Sequence, residues 1–198
     1  MINRSFVLSL LSSALISFTA HAAADWDLDG PNSSLSFVSI KAGSIGEVHT
    51  FKELTGKVGS SGQATLTIPT ASVDTLIPIR DDRMLQHLFQ TALFPDMTVA
   101  VALPQKTLDS AANGGISRAS IQGELTIKDR KTSVQADVLI TGTGSDQILV
   151  TTTKPILLNA AVVGLDGGVE KLREIAGLPS ISQAVPVIFT LTFSKTAD

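Results

Sequence analysis

The sequence predicts an all-β fold, an antiparallel sandwich or up-and-down barrel of about eight strands carrying two short helices. Three observations predict it. Apolar residues alternate with polar ones through most of the chain, most cleanly at Val99–Leu103, Ile121–Ile127, Val134–Ile140 and Val185–Phe193. Period two is the signature of a strand with one covered face. Each run is bounded by Gly, Asn or Pro, the residues that turn a chain. In two places the alternation gives way to helical spacing: Met84, Leu85, Leu88, Phe89 and Ala92, and later Val169, Leu172, Ile175 and Ala176.

The N-terminus reads as a secretory signal. Arg4 supplies a positive start, Phe6 to Phe18 a short apolar run, and Ala20-His21-Ala22 a small-x-small cleavage site. The expected organisation is a cleaved segment over residues 1–22 and one barrel domain over 23–198, placed in the periplasm. No later run reaches the ~18 apolar residues of a spanning helix. No Cys follows the apolar run, so a lipid anchor on a modified Cys is excluded. A mature chain of roughly 175 residues fits one domain and buries enough surface to fold without staples.

Composition narrows the function. Cys is 0, which removes thiol nucleophiles, thiolate zinc sites and disulfide exchange. The net charge is -3 and the pI near 5.6, so no basic excess exists to neutralise nucleic-acid phosphates. Charged residues are only 17% and the mean hydropathy is +0.30, which points to an interior lined with apolar side chains.

Along the chain, Trp26 and Leu28 alternate with Asp25, Asp27 and Asp29 in a short first strand, ended by Gly30-Pro31-Asn32. The spaced Asp residues imitate the start of a calcium loop, but the twelfth position is Ser36 rather than the bidentate Glu such loops need. Leu35, Phe37 and Ser39 share one face of a second strand. Glu47 to Val58 reads as a third, with Gly56 as a bulge or corner. Gly59 to Gly62 turns it into a partner carrying Ala64, Leu66 and Ile68. Ser72 to Phe94 then holds the first helix, with Asp81 and Asp82 as caps at its start. Pro104 to Gly115 reads as a polar loop. The runs 121–127, 134–140 and 148–150 follow, then a short helix with Asp166 as cap and Gly177 just past its end, and a last strand over 185–193.

No catalytic constellation emerges. G-x-S-x-G does not occur, and only His49 and His87 remain beyond His21 of the signal, too few for a zinc or copper site without carboxylates that no spacing supplies. No catalytic residue and no metal ligand is assigned. Eight strands close around either a packed core or one small ligand. Medium-sized Val, Ile, Leu and Ala facing inward, with 5% aromatics, fit an elongated dry cavity as well as a packed core.

The segments Trp26 to Lys41, His49-Thr50-Phe51-Lys52 with Gly56, Ser72-Val73-Asp74-Thr75 with Arg80-Asp81, Phe94-Pro95 and Gly123 to Ile127 together resemble the YceI-like family. The resemblance implies a lipocalin-like antiparallel barrel in the periplasm that binds a polyisoprenoid or similar amphiphilic lipid and is not an enzyme. It departs from shorter members at the Gly167–Gly177 helix and the 178–181 segment, which stand where they can narrow or cover a cavity.

On that basis Val101, Leu125, Val138 and Phe189, with Phe37 and Phe51, are the expected tunnel wall. Met84, Leu88 and Phe89 are expected to close one end, and Arg80, Arg83 and His87 to meet a polar headgroup. The expected ligand is a polyprenyl phosphate or a quinone, with no other cofactor. Two rival readings stand beside it: a small redox or haem-associated protein using His49 or His87 as an axial ligand, and an envelope stress protein acting through the surface of a packed barrel. The oligomeric state stays open, a homodimer included.

Overall fold

The computed structural model describes residues 25–144 and 146–196; the expected signal, 1–22, lies outside them. Twelve strands are present in the described residues. They are β1 (Trp26–Leu28), β2 (Ser34–Lys41), β3 (Ile45–Phe51), β4 (Thr55–Val58), β5 (Gln63–Pro69), β6 (Val73–Asp74), β7 (Asp96–Ala102), β8 (Ile116–Ile127), β9 (Arg130–Gly142), β10 (Gln147–Thr152), β11 (Ile156–Asn159) and β12 (Ala184–Lys195). Every pairing between them is antiparallel.

The twelve strands form a closed barrel of eight lines, because four of those lines are broken in the middle. β1 and β2 run along one edge of β12, with Trp26 opposite Lys195 and Phe37 opposite Val187. β10 and β11 run along its other edge. β3 with β4, and β5 with β6, form the second and third lines. Neighbours in space are neighbours in sequence, and the first line pairs with the last. Closure removes most of the sheet's edge, although among the described residues β6 pairs only with β3 and β11 only with β12.

The alternation read in the sequence turns inward as expected. In β9, Val134, Ala136, Val138 and Ile140 face the interior, and in β8 Ile121, Gly123, Leu125 and Ile127 do so. Gly123 stands opposite Val134, and Ile121 opposite Ala136. Gly56 is no bulge: it pairs in register with Leu66, and a Cβ there would lie 2.7 Å from the Thr65 carbonyl oxygen. The third run instead breaks at residues 52–54, where β3 ends against β6 and the Lys52 N–H donates to the Ser72 carbonyl at 2.9 Å.

Three helices cap the barrel. α1 (Pro78–Arg83) starts with proline at its first position, where a missing N–H costs nothing. It continues as a π-helical turn over Met84–Phe89 and stops at Gln90 with a left-handed φ of 54°. Asp81 does not cap its own helix. Its Oδ1 accepts from the Thr75 N–H at 2.8 Å and the Thr75 hydroxyl at 2.6 Å, fastening the incoming loop instead.

α2 (Gln105–Ala112) replaces the expected polar loop. Its only buried side chains are Leu108 and Ala111, one turn apart, too few to register as a period against the surrounding polar residues. β11 was not expected either; its four residues alternate too briefly to stand out. α3 (Asp166–Ile175) forms where helical spacing placed it, but Leu165 rather than Asp166 holds the cap position and no side chain caps it. Its far end follows the sequence reading. Gly177, at φ +62°, donates to the Glu174 carbonyl and Leu178 to that of Arg173, satisfying the last carbonyls as a left-handed glycine stop does.

Candidate functional site

The barrel is not filled by its own side chains. An apolar cavity of ≈ 710 Å³ runs through it, within the range of sites that enclose a small ligand. The packed-core alternative therefore fails for a physical reason: inward positions hold Gly123, Ala64 and Ala136 beside Val, Leu and Ile, too little volume for the ring eight lines enclose.

One end is plugged by α2. Thr107, Leu108 and Ala111 face the cavity, and a Cβ at Gly142 would overlap the Ala111 carbonyl oxygen, so helix and β9 touch backbone to backbone. The opposite end is covered by α1 with its π-helical extension, and by α3. Met84, Leu88 and Phe89 are buried there. α3 lies directly on that turn: a Cβ at Gly168 would be 2.8 Å from the His87 carbonyl oxygen and from Leu88 Cα. The 165–181 segment adds Val169, Leu172, Ile175, Leu178 and Ile181 to the wall, so the extension expected to cover the cavity is part of its lining. Ile77 and Ile79 line the cavity and are also exposed, which marks this end as the way in.

All nine apolar residues expected at the site line the cavity: Phe37, Phe51, Met84, Leu88, Phe89, Val101, Leu125, Val138 and Phe189. Phe37, Phe51 and Phe89 form a run of tilted rings with centroids 5.5 Å and 5.8 Å apart, joining the wall to the covering helix. Arg80 and Arg83 line it as well. His87 does not join them. It is not among the lining residues, and its carbonyl faces α3.

Three further residues complete the polar end: Lys41 and Glu47, missed in the sequence, and His49, singled out there only as a candidate haem ligand. They continue the inward faces of β2 and β3, on which Leu35, Phe37, Ser39 and Lys41 lie in one row and Glu47, His49 and Phe51 in the next. Period two was the available signal, but polar residues on an inward face do not register when apolar residues define that face. Glu47 is the hub. Lys41 Nζ donates to its Oε1 at 2.9 Å, and Arg80 donates to both oxygens, at 3.0 and 3.3 Å. The Lys41 hydrogen bond, and after it the Arg80 charge, hold the Glu47 carboxyl below the usual carboxylate range, against partial burial that pushes it up. This cluster ties α1 to the tip of the β2–β3 hairpin.

His49 is 3% exposed, and its Nε2 shares a hydrogen bond of 2.8 Å with Ser39 Oγ. Burial, then the nearby Arg80 charge, lowers its pKa, so the ring stays neutral at pH 7. Its ring lies 5.2 Å from that of Phe37.

Known proteins share this architecture. A polyisoprenoid-binding domain from Saccharophagus degradans, implicated in plant cell wall breakdown, is 32% identical, with a TM-score of 0.83 over 86% of this chain and 98% of that one. BcnA of Burkholderia cenocepacia (20% identity, TM-score 0.64, covering 83% of this chain and 98% of that one) shares the fold. So does a YceI protein of Campylobacter jejuni (16%, 0.56, 75% and 85%). No curated protein sequence matches. The YceI-like domain matches residues 26–193, the barrel from its first strand nearly to the end of the last, and the chain belongs to the YceI-like family.

Proposed function

We propose that this chain is a periplasmic carrier or sequestering protein for an amphiphilic isoprenoid-type lipid and performs no catalysis of its own. The observation that carries the reading is the distribution of polarity in one continuous cavity. Its walls are Val, Leu, Ile, Phe and Met, and its charged groups gather at the end where Ile77 and Ile79 reach solvent. A hydrocarbon tail fits the wall and a polar head fits that end. Burial of a tail yields roughly 0.8 kcal/mol per CH₂ before the costs of association, so a long chain is held with few polar contacts.

The 32% identical relative described as a polyisoprenoid-binding domain supports the same ligand class. Arg80 and Arg83 stand at the polar end, where a polyprenyl phosphate or a quinone would place its head. A guanidinium suits either, by paired hydrogen bonds to phosphate or a single one to carbonyl.

Native mass spectrometry of the protein purified gently from its own cell envelope tests the reading. A bound isoprenoid lipid is the expected result. Recovery of empty protein alone, with no lipid in the organic extract, would overturn it. An Ala136→Trp variant, which places a bulky ring in the tunnel, is expected to come out empty while remaining folded.

A further inference from the structure

The polar end of the cavity is layered. Successive inward residues on a strand are two positions, about 6.6 Å, apart. Two residues inward along each strand at a time, Lys41 and Glu47, bridged to Arg80, form the outer layer, the hydrogen-bonded Ser39 and His49 the next, and Phe37 and Phe51 begin the apolar tunnel; each pair is diagonal, since the register sets Ser39 opposite Glu47 and Phe37 opposite His49. The outer layer is largely self-satisfied, because Glu47 accepts from both Lys41 and Arg80. The second layer is not. Nδ1 of His49 is buried and has no hydrogen-bond partner among the described residues, although the ring lines the cavity. A buried polar atom without a partner costs stability that a ligand atom can restore.

Resting on the proposed lipid reading, we infer that His49 Nδ1 is the docking point for one oxygen of an uncharged head, a hydroxyl or carbonyl, drawn one layer inside the charged ring. The chemistry of that layer favours such a head over a phosphorylated one. Its residues, Ser39 and His49, carry no charge at pH 7. A phosphate at that depth would lose its water beside the Glu47 carboxylate, which is already committed to Lys41 and Arg80. Arg83, which lines the cavity from α1, is where a phosphate would be held instead. Either tautomer of His49 serves. If the Ser39 hydroxyl donates to Nε2, Nδ1–H donates to a carbonyl; if Nε2–H donates to Ser39, Nδ1 accepts from an alcohol.

The test uses three C20 probes of one chain length: geranylgeraniol, its monophosphate and the parent hydrocarbon. Trp26, the single Trp of the chain, lines the cavity, and its fluorescence reports occupancy. The wild type is expected to bind the alcohol about tenfold more tightly than the hydrocarbon, the scale of one hydrogen bond that completes a buried group. It is also expected to prefer the alcohol to the monophosphate. His49→Gln, which reaches toward Ser39 but leaves nothing at the Nδ1 position, is expected to lose the preference for alcohol and keep hydrocarbon binding. His49→Asn, whose amide sits where Nδ1 does, is expected to retain it.

A wild type that prefers the monophosphate overturns the inference and moves the head to Arg83. So does a His49→Gln variant whose alcohol preference is unchanged. Binding of the hydrocarbon in either case leaves the lipid reading standing, whereas a wild type that binds none of the three probes overturns both. Thermal melts of the two variants establish that each is folded.

Discussion

Gly168 is the position at which the cover over the cavity is most sensitive. It lies in the first turns of α3 with ordinary helical φ, so alanine fits its backbone and, alone, would raise helix stability by ~1 kcal/mol. What opposes this is contact. The added Cβ would lie 2.8 Å from the His87 carbonyl oxygen, 2.8 Å from Leu88 Cα and 3.0 Å from Leu88 Cδ1. Two of these atoms are backbone and cannot move aside by a rotamer change. Overpacking of this kind costs ~1–3 kcal/mol.

Gly167 is the internal control, because a Cβ there would meet nothing within 4 Å. Gly167→Ala therefore gains the helix term without the clash, and the difference between the two variants isolates the clash. At ~2–4 °C per kcal/mol for a domain of this size, Gly168→Ala is expected to melt about 2–12 °C below Gly167→Ala in scanning calorimetry. The strain falls between α3 and the turn beneath it, so Gly168→Ala should also release bound lipid faster. Melting points within one degree of each other would refute the account of how α3 is seated.

Other consequences follow from the same geometry. Arg80→Ala frees Glu47 from one partner and α1 from the hairpin tip; the pair is partly exposed, so an Arg80/Glu47 double-mutant cycle is expected to give a coupling below ~1 kcal/mol in stability, with the larger effect on lipid release rate. Thr70→Val is expected to cost ~1–3 kcal/mol in urea unfolding, because the single proton of the buried Thr70 hydroxyl, within hydrogen-bond reach of the Thr91 hydroxyl and the Phe94 and Pro95 carbonyls, is lost.

Stability should fall with acid from about pH 6.5 downward. The folded pKa of His49 is lowered, so the unfolded chain binds the extra proton first. Stability is then complete above the unfolded value and is lost as pH drops toward the folded one. The groups facing His49 are Glu47 on β3, Lys41 on β2, and Arg80 and Asp81 on α1. His49→Gln is expected to flatten this limb of a pH–melting profile, leaving a separate loss at lower pH, where Glu47 protonates below the carboxylate range and releases Lys41 and Arg80.

The strands were legible because burial on one face writes itself as period two. Inward sets such as Val134–Ile140 and Val185–Phe193 needed nothing beyond adjacent residues to be seen. The end of α3 was legible for the same reason: Gly177 and the chain after it carry a local stop. The tunnel residues could be picked because a barrel wall is the inward half of every strand. α2, β11 and the broken strand at 52–54 were not legible. Their boundaries are set by what lies across space: the backbone contact at Gly142, the edge of β12, and β6 arriving beside β3.

By itself, then, the sequence determined an all-β sandwich or barrel with apolar inward faces, two of its helices, and a family pattern running in order from Trp26 to Ile127 that implies the barrel. Local periodicity and turn chemistry are properties of neighbouring residues and survive without a structure. Only the tertiary structure decided that the barrel is hollow, that α2 shuts one end while α3 sits on a π-helical turn at the other, and that His87 stands outside while His49 stands inside with a free nitrogen. Those are questions of volume and of distance between residues far apart in the chain. Closure of eight lines sets both, and no stretch of sequence records either.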